Sequence, residues 1–117
     1  MHNFKKLTIW KKSMDLVTEI YVLTNKYPKH EIYGLTSQTR RAAVSVPLNI
    51  SEGSAKSSNK DFARFLEMAI GSINELETVL IVAYNIQYID FEHLNEFQEK
   101  ITILRKMISK FKDSLEE

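Results

Sequence analysis

A chain of 117 residues with a net charge of +1, only three glycines and two prolines, and 44% hydrophobic against 26% charged residues has the makeup expected of one helical domain, and little material for disorder or a turn-rich β fold. With no cysteine it excludes disulfides, thiolate metal sites and a cysteine nucleophile, which fits a reducing cytoplasm. The near-neutral total conceals an asymmetry: Met1 to Arg64 carries eleven Lys and Arg against five Asp and Glu, whereas Phe65 to Glu117 carries five against ten, giving +6 and −5.

The N-terminal lysine pairs enclose only Leu7 to Trp10, too short an apolar core for a signal peptide. The longest unbroken apolar run, Val79 to Tyr84, falls far short of the roughly 20 residues that span a bilayer. A cytoplasmic protein without membrane contact is expected.

The first helix is expected over about 8–25, with Ile9, Ser13, Leu16, Ile20, Leu23 and Tyr27 on one stripe and Trp10, Met14, Val17 and Tyr21 widening it. Pro28 forces the helix to end by Tyr27. The second helix, about 34–52, has two faces. Leu35, Thr39, Ala42, Val46, Asn49, Ile50 and Gly53 form its core stripe, while Arg40, Arg41, Val44 and Leu48 point elsewhere, a mixture that suits a subunit interface. Pro47 is expected to kink it and Gly53 to end it in the left-handed region.

The third helix, about 59–88, starts with Ser58 as N-cap and Asp61 three residues on. Its apolar sector, from Phe62 through Ile86 and including Ile81, is so wide that this is expected to be the most buried helix, and Gly71 is expected to let a neighbour approach closely. The fourth, about 91–115, is capped by Asp90 and carries Leu94, Phe97, Ile101, Leu104, Ile108, Phe111 and Leu115 at heptad spacing. Four helices with short connections predict an all-α, antiparallel up-down-up-down four-helix bundle in a single domain, 1–117.

Three motifs in order, R-R-A-A-x-S at Arg40 to Ser45, x-N-I-x-E-G ending at Gly53 and G-S-x-x-E-L-E-T at Gly71 to Thr78, lie within the longer strings YGLTSQTRRAAVSVPLNISEG and DFARFLEMAIGSINELET. The chain resembles a bacterial four-helix-bundle family of proteins encoded within intervening sequences of 23S rRNA genes, related to the accessory variability proteins of diversity-generating retroelements. That resemblance implies a ring-like homopentamer, and among partners it implies RNA or DNA and a reverse transcriptase or other nucleic-acid enzyme. Those retroelement relatives are strongly basic, and this chain departs from them with a calculated pI of about 7.9.

No chemistry is expected. None of His2, His30 or His93 has the Glu three residues before it that a di-metal bundle requires, Asp90 and His93 being the nearest approach and better read as a helix start. The glycines are isolated, so there is no phosphate loop. An enzyme, a metal and a cofactor are therefore all unexpected. Arg40 and Arg41 are expected to pair with Glu75 and Glu77 between neighbouring helices or subunits, and with Val44 and Leu48 to form the oligomer interface. The competing assignment sets Arg40 and Arg41, with Lys56, Lys60 and Arg64 at the start of the third helix, against phosphates. Two functions remain: an oligomeric scaffold that binds nucleic acid or a nucleic-acid enzyme, and a purely structural or protein-interaction module. Salt-dependent retention on a polyanion separates them.

Overall fold

The computed structural model describes residues 2–116 as four helices, α1 Thr8–Thr24, α2 Leu35–Ser54, α3 Asn59–Asn85 and α4 Phe91–Leu115. Short 3₁₀ turns at Phe4–Lys6 and Lys29–Glu31 precede α1 and α2, and there is no strand among the described residues. Side-chain pairs fix the directions. Ser45 bonds Ser72 at 2.9 Å while Gly53 lies against Phe62 and Phe65, so α2 and α3 run antiparallel. Arg105 to Asn74 at 2.9 Å and Lys112 to Glu67 at 3.5 Å do the same for α3 and α4. Each helix packs on the next in sequence, and α4 returns to α1 to close a body of 44 × 24 × 20 Å.

The expected stripe of α1, from Ile9 through Tyr27, is buried in full, and so is that of α2 apart from half-buried Leu35 and Asn49. Burial of such stripes, at roughly 25 cal/mol per Å² of apolar surface, is the main force holding the bundle together. Both expected N-caps form: Ser58 Oγ accepts from the Asp61 amide at 3.1 Å and Asp90 Oδ1 from the His93 amide at 2.8 Å.

The structure corrects the sequence on four points. First, α2 is buried most densely, with nine buried residues in twenty against nine in twenty-seven for α3, where Ile81 faces outward, as does Ile86 just past the helix end. Second, α3 ends at Asn85, three residues early. Gln87 adopts φ 68°, its amide bonds to Tyr84 O at 3.0 Å and the Tyr88 amide to Ala83 O at 2.8 Å, which is a Schellman cap built without glycine.

Third, Gly53 is not a left-handed stop. It is helical and buried, and a Cβ there would lie 2.7 Å from Phe65 Cβ and 2.8 Å from Phe62 Cδ1, so only glycine permits this approach of α2 to α3. Fourth, Gly71 meets nothing within 4 Å and sits on open surface. The helix runs on through Pro47.

One carboxylate ties the loops at the far end. Glu31 Oε1 accepts from the Leu35 amide at 3.0 Å at the start of α2, and Oε2 accepts from the Tyr88 hydroxyl at 2.6 Å in the α3–α4 connection. The Tyr88 hydroxyl, followed by the Leu35 amide, holds the Glu31 carboxyl below the usual carboxylate range. A depressed carboxylate pKa contributes stability that is present above the unfolded value and lost as pH falls through the folded one.

Gly53→Ala is expected to destabilise, because overpacking costs about 1–3 kcal/mol against a helix-propensity gain of about 1 kcal/mol, whereas Gly71→Ala in open space keeps the gain. Urea unfolding of both variants checks the opposite signs. Tyr88→Phe is expected to lower the Tm at pH 7, with the difference from wild type shrinking on titration below the ordinary Glu range; a difference independent of pH would show that the Glu31 contact is not responsible.

Candidate nucleic-acid interface and assembly surface

The corner between α2 and α3 gathers three of the predicted cations. The Ala55 and Lys56 amides bond to Glu52 O and Gly53 O at 3.2 and 3.1 Å, turning the chain sharply after α2. Ser58 then starts α3, and Lys56, Lys60 and Arg64 all stand exposed around its first turns. Lys56 Nζ and Arg64 Cζ each lie 5.0 Å from the centroid of the Phe65 ring. Such contacts contribute about 0.5–1 kcal/mol each at exposed sites, enough to bias two flexible side chains towards one place while leaving their charges in water. Arg64 Nε stands 3.8 Å from Asp61 Oδ1, an open pair whose screened attraction leaves the guanidinium available. Lys60 makes no ion pair among the described residues.

Bundle topology brings further positive charge to this end. The His2 amide bonds to Ser54 O at 3.2 Å, so Lys5 and Lys6 before α1 lie at the end of the molecule where α2 stops. The antiparallel α4 delivers Lys110 and Lys112 to the same end, although Lys112 is engaged by Glu67 at 3.5 Å and Glu116 at 3.9 Å. The positive end of the α3 dipole adds to the field.

Arg40 is placed differently. Its Nε donates to Thr24 Oγ1 at 2.8 Å, its Nη2 to Asn25 Oδ1 at 3.0 Å, and its guanidinium lies 4.6 Å from the Tyr21 ring centroid. It pins α2 to the end of α1 and does not meet Glu75 or Glu77 within the chain. Glu77 is taken by Arg105 at 3.1 Å, with Gln98 at 3.4 Å, inside the α3–α4 pair. Within the subunit Arg40 and Glu77 are thus taken up in two separate ties, each between neighbouring helices.

Arg41 and Glu75 remain exposed and face one open, polar groove between α2 and α3, with Ser37, Ser45 and Tyr33 also lining it. They form no ion pair across it among the described residues. Tyr33 at its mouth is 96% exposed. Farther along the same face, half-buried Val44 and exposed Leu48 come level with exposed Met68 and bare Gly71 on α3. Of the residues expected at an interface, Arg41, Val44, Leu48 and Glu75 thus share one face of the α2–α3 pair, while Arg40 and Glu77 point into the subunit.

Residues 5–110 match the family of 23S rRNA-intervening sequence proteins. The chain belongs to that family. A solved structure from Bacteroides thetaiotaomicron, described as a protein of unknown function from the S23 ribosomal protein family, is 23% identical, covers 89% of this chain and 97% of its own, and superposes with a TM-score of 0.81, which shows a shared fold. No curated protein matches the chain.

For this intervening-sequence protein the described residues hold no cluster of three or more His, Cys, Asp or Glu placed to grip a metal ion, and no helix long and apolar enough to cross a membrane. Asp90 and His93 make a local helix-start contact, His93 Nδ1 lying 2.7 Å from Asp90 Oδ1. Phe65, the support for Lys56 and Arg64, is not evident from the sequence. It follows Lys56 by nine residues and Arg64 by one, a spacing that gives no signal until the α2–α3 corner is folded.

Proposed function

We propose that this protein is a non-enzymatic, self-assembling scaffold whose basic end holds nucleic acid through its phosphates. The observation that supports it most is the corner where Lys56 and Arg64 rest on Phe65 with Lys60 beside them, at the N-terminal end of α3. Three or so cations per subunit are too few to retain a polyanion at physiological salt. Assembly through the outward α2–α3 face repeats the patch, and repetition at high effective concentration raises affinity by roughly 10² or more for a polymer that reaches neighbouring patches. A homopentamer is the stoichiometry proposed, on the family resemblance alone. An accessory role beside a reverse transcriptase or similar enzyme belongs to the same proposal, since it needs only a scaffold that holds the nucleic acid nearby.

The expected binding is length-dependent, salt-sensitive and indifferent to sequence, because the cations at the corner meet phosphates, which carry no sequence information. A second reading, a plain protein-interaction module, is favoured by the number of charges already consumed within the subunit: Arg40 by α1, Arg105 by Glu77, Lys100 by Glu19 and Glu96. Fluorescence anisotropy with short and long oligonucleotides at two salt concentrations decides between them. Wild type is expected to bind the long strand more tightly and to lose affinity with salt, and the combined Lys56→Glu, Lys60→Glu, Arg64→Glu variant to lose binding while keeping its mass. No binding at low salt, or an unaffected triple variant, leaves the interaction-module reading.

A further inference from the structure

The N-terminal segment and the last turns of α4 form a hollow with a chemistry of its own. The 3₁₀ turn at Phe4–Lys6 and the cap residue Leu7 lead the chain into α1, so that the stretch Lys6 to Ile9 makes one wall. Met107, Lys110, Phe111 and Ser114 recur on α4 at three- and four-residue steps, share one face of that helix and make the other wall. About 560 Å³ lies between them, a size usual for small-molecule sites.

The floor of the hollow is apolar. Ile9 is buried, while Leu7, Met107 and Phe111 are half-buried and line the hollow with the surface they keep. The Phe111 ring is held by edge contacts to Phe62 at 5.6 Å and His2 at 6.0 Å, and the unbranched Met107 beside it adapts to whatever lies against it. The rim is cationic. Lys6 and Lys110 are exposed and make no ion pair among the described residues. No carboxylate of the described residues lines the walls: Asp113 lies outside them, and Glu116 stands 3.9 Å from Lys112. Other surface hollows differ in this respect. Asp15 and Glu19 line the one farther along the α1–α4 seam, Glu75 the groove between α2 and α3, and Asp90 the hollow at the α3–α4 connection.

We infer that this hollow binds a single-chain amphiphile with an anionic head, of the fatty-acid class, with its chain on Leu7, Ile9, Met107 and Phe111 and its carboxylate between Lys6 and Lys110. A small inorganic anion has no use for the apolar floor, and a neutral apolar ligand has none for two ammonium groups that no carboxylate compensates. Lysine suits the head, because its stem lies along apolar surface while the ammonium reaches outward. A free amphiphile fits better than a bilayer surface, which is entered by apolar groups that project, whereas here they are recessed. The inference depends neither on nucleic-acid binding nor on self-assembly.

Amide NMR of the whole chain, titrated with hexanoate, heptanoate and octanoate, reads both site and affinity. Shifts are expected to be confined to residues 6–9 and 107–114, with binding tightening roughly fourfold per added methylene. Octylammonium, with the same chain and the opposite charge, is expected to bind about tenfold more weakly than octanoate. Lys6→Glu with Lys110→Glu is expected to reverse that order; both positions are exposed, so circular dichroism is expected to report unchanged helicity. Equal affinity of wild type for the two head groups, affinity that ignores chain length, or shifts centred elsewhere would overturn the inference. So would phosphatidylglycerol vesicles or an oligonucleotide that perturb these amides where octanoate does not, since the hollow then belongs to a membrane or nucleic-acid contact.

Discussion

The close approach of α2 to α3 is the constraint on which everything else in this bundle depends. Ser45 and Gly53 on one helix face Ser72, Phe62 and Phe65 on the other, and the missing side chain of Gly53 lets two phenylalanines lie directly on the α2 backbone. Protein interiors are packed at crystal-like density, so such a junction has one solution and transmits it. Phe62 and Phe65, fixed there, do different things. The Phe62 ring turns inward to meet the rings of Phe111 at 5.6 Å and His2 at 5.1 Å, joining α3 to α4 and to the N-terminal segment. Phe65 stays half-buried at the corner and carries Lys56 and Arg64 on its ring. A packing requirement in the core therefore sets the position of the charged surface.

The other junctions are of a different kind. Arg40 to Thr24 and Asn25, Arg105 to Asn74 and Glu77, Lys100 to Glu19 and Glu96, and Glu31 to Tyr88 are polar ties at the edges of the helix pairs. Their individual contributions are small where water reaches them, and their role is to fix register and angle more than to drive folding. The α1–α4 pair depends most on such a tie, through Lys100, and has the least close packing, which is why its seam stands open.

Much of the fold was legible from periodicity. The stripes of α1 and α2 and the N-caps Ser58 and Asp90 were all visible, because spacing on a helix and the hydrogen-bonding needs of its first turn are local properties. What was not legible depends on partners distant in sequence. Gln87 in the left-handed region carries no glycine signal; Gly53 and Gly71 look alike in the sequence, yet one meets two phenylalanines and the other meets open space. The candidate site divides the same way. Lys56, Lys60 and Arg64 were found as a helix-start cluster, but Arg40 and Arg41 sit side by side in the chain and 100° apart on the helix, so one is spent on α1 and the other faces the groove with Glu75.

Close packing makes α2 with α3 the rigid centre of the subunit and leaves the α1–α4 seam its most easily opened boundary. Native-state hydrogen exchange followed residue by residue measures this directly, since local opening free energies differ between elements of one fold. The slowest amides are expected in α2 around Ala42 to Ile50 and in α3 around Leu66 to Leu76, with α1 and α4 exchanging through a lower-energy opening. Protection of α1 and α4 equal to that of α2 and α3, or an α2–α3 pair that opens first, would contradict it.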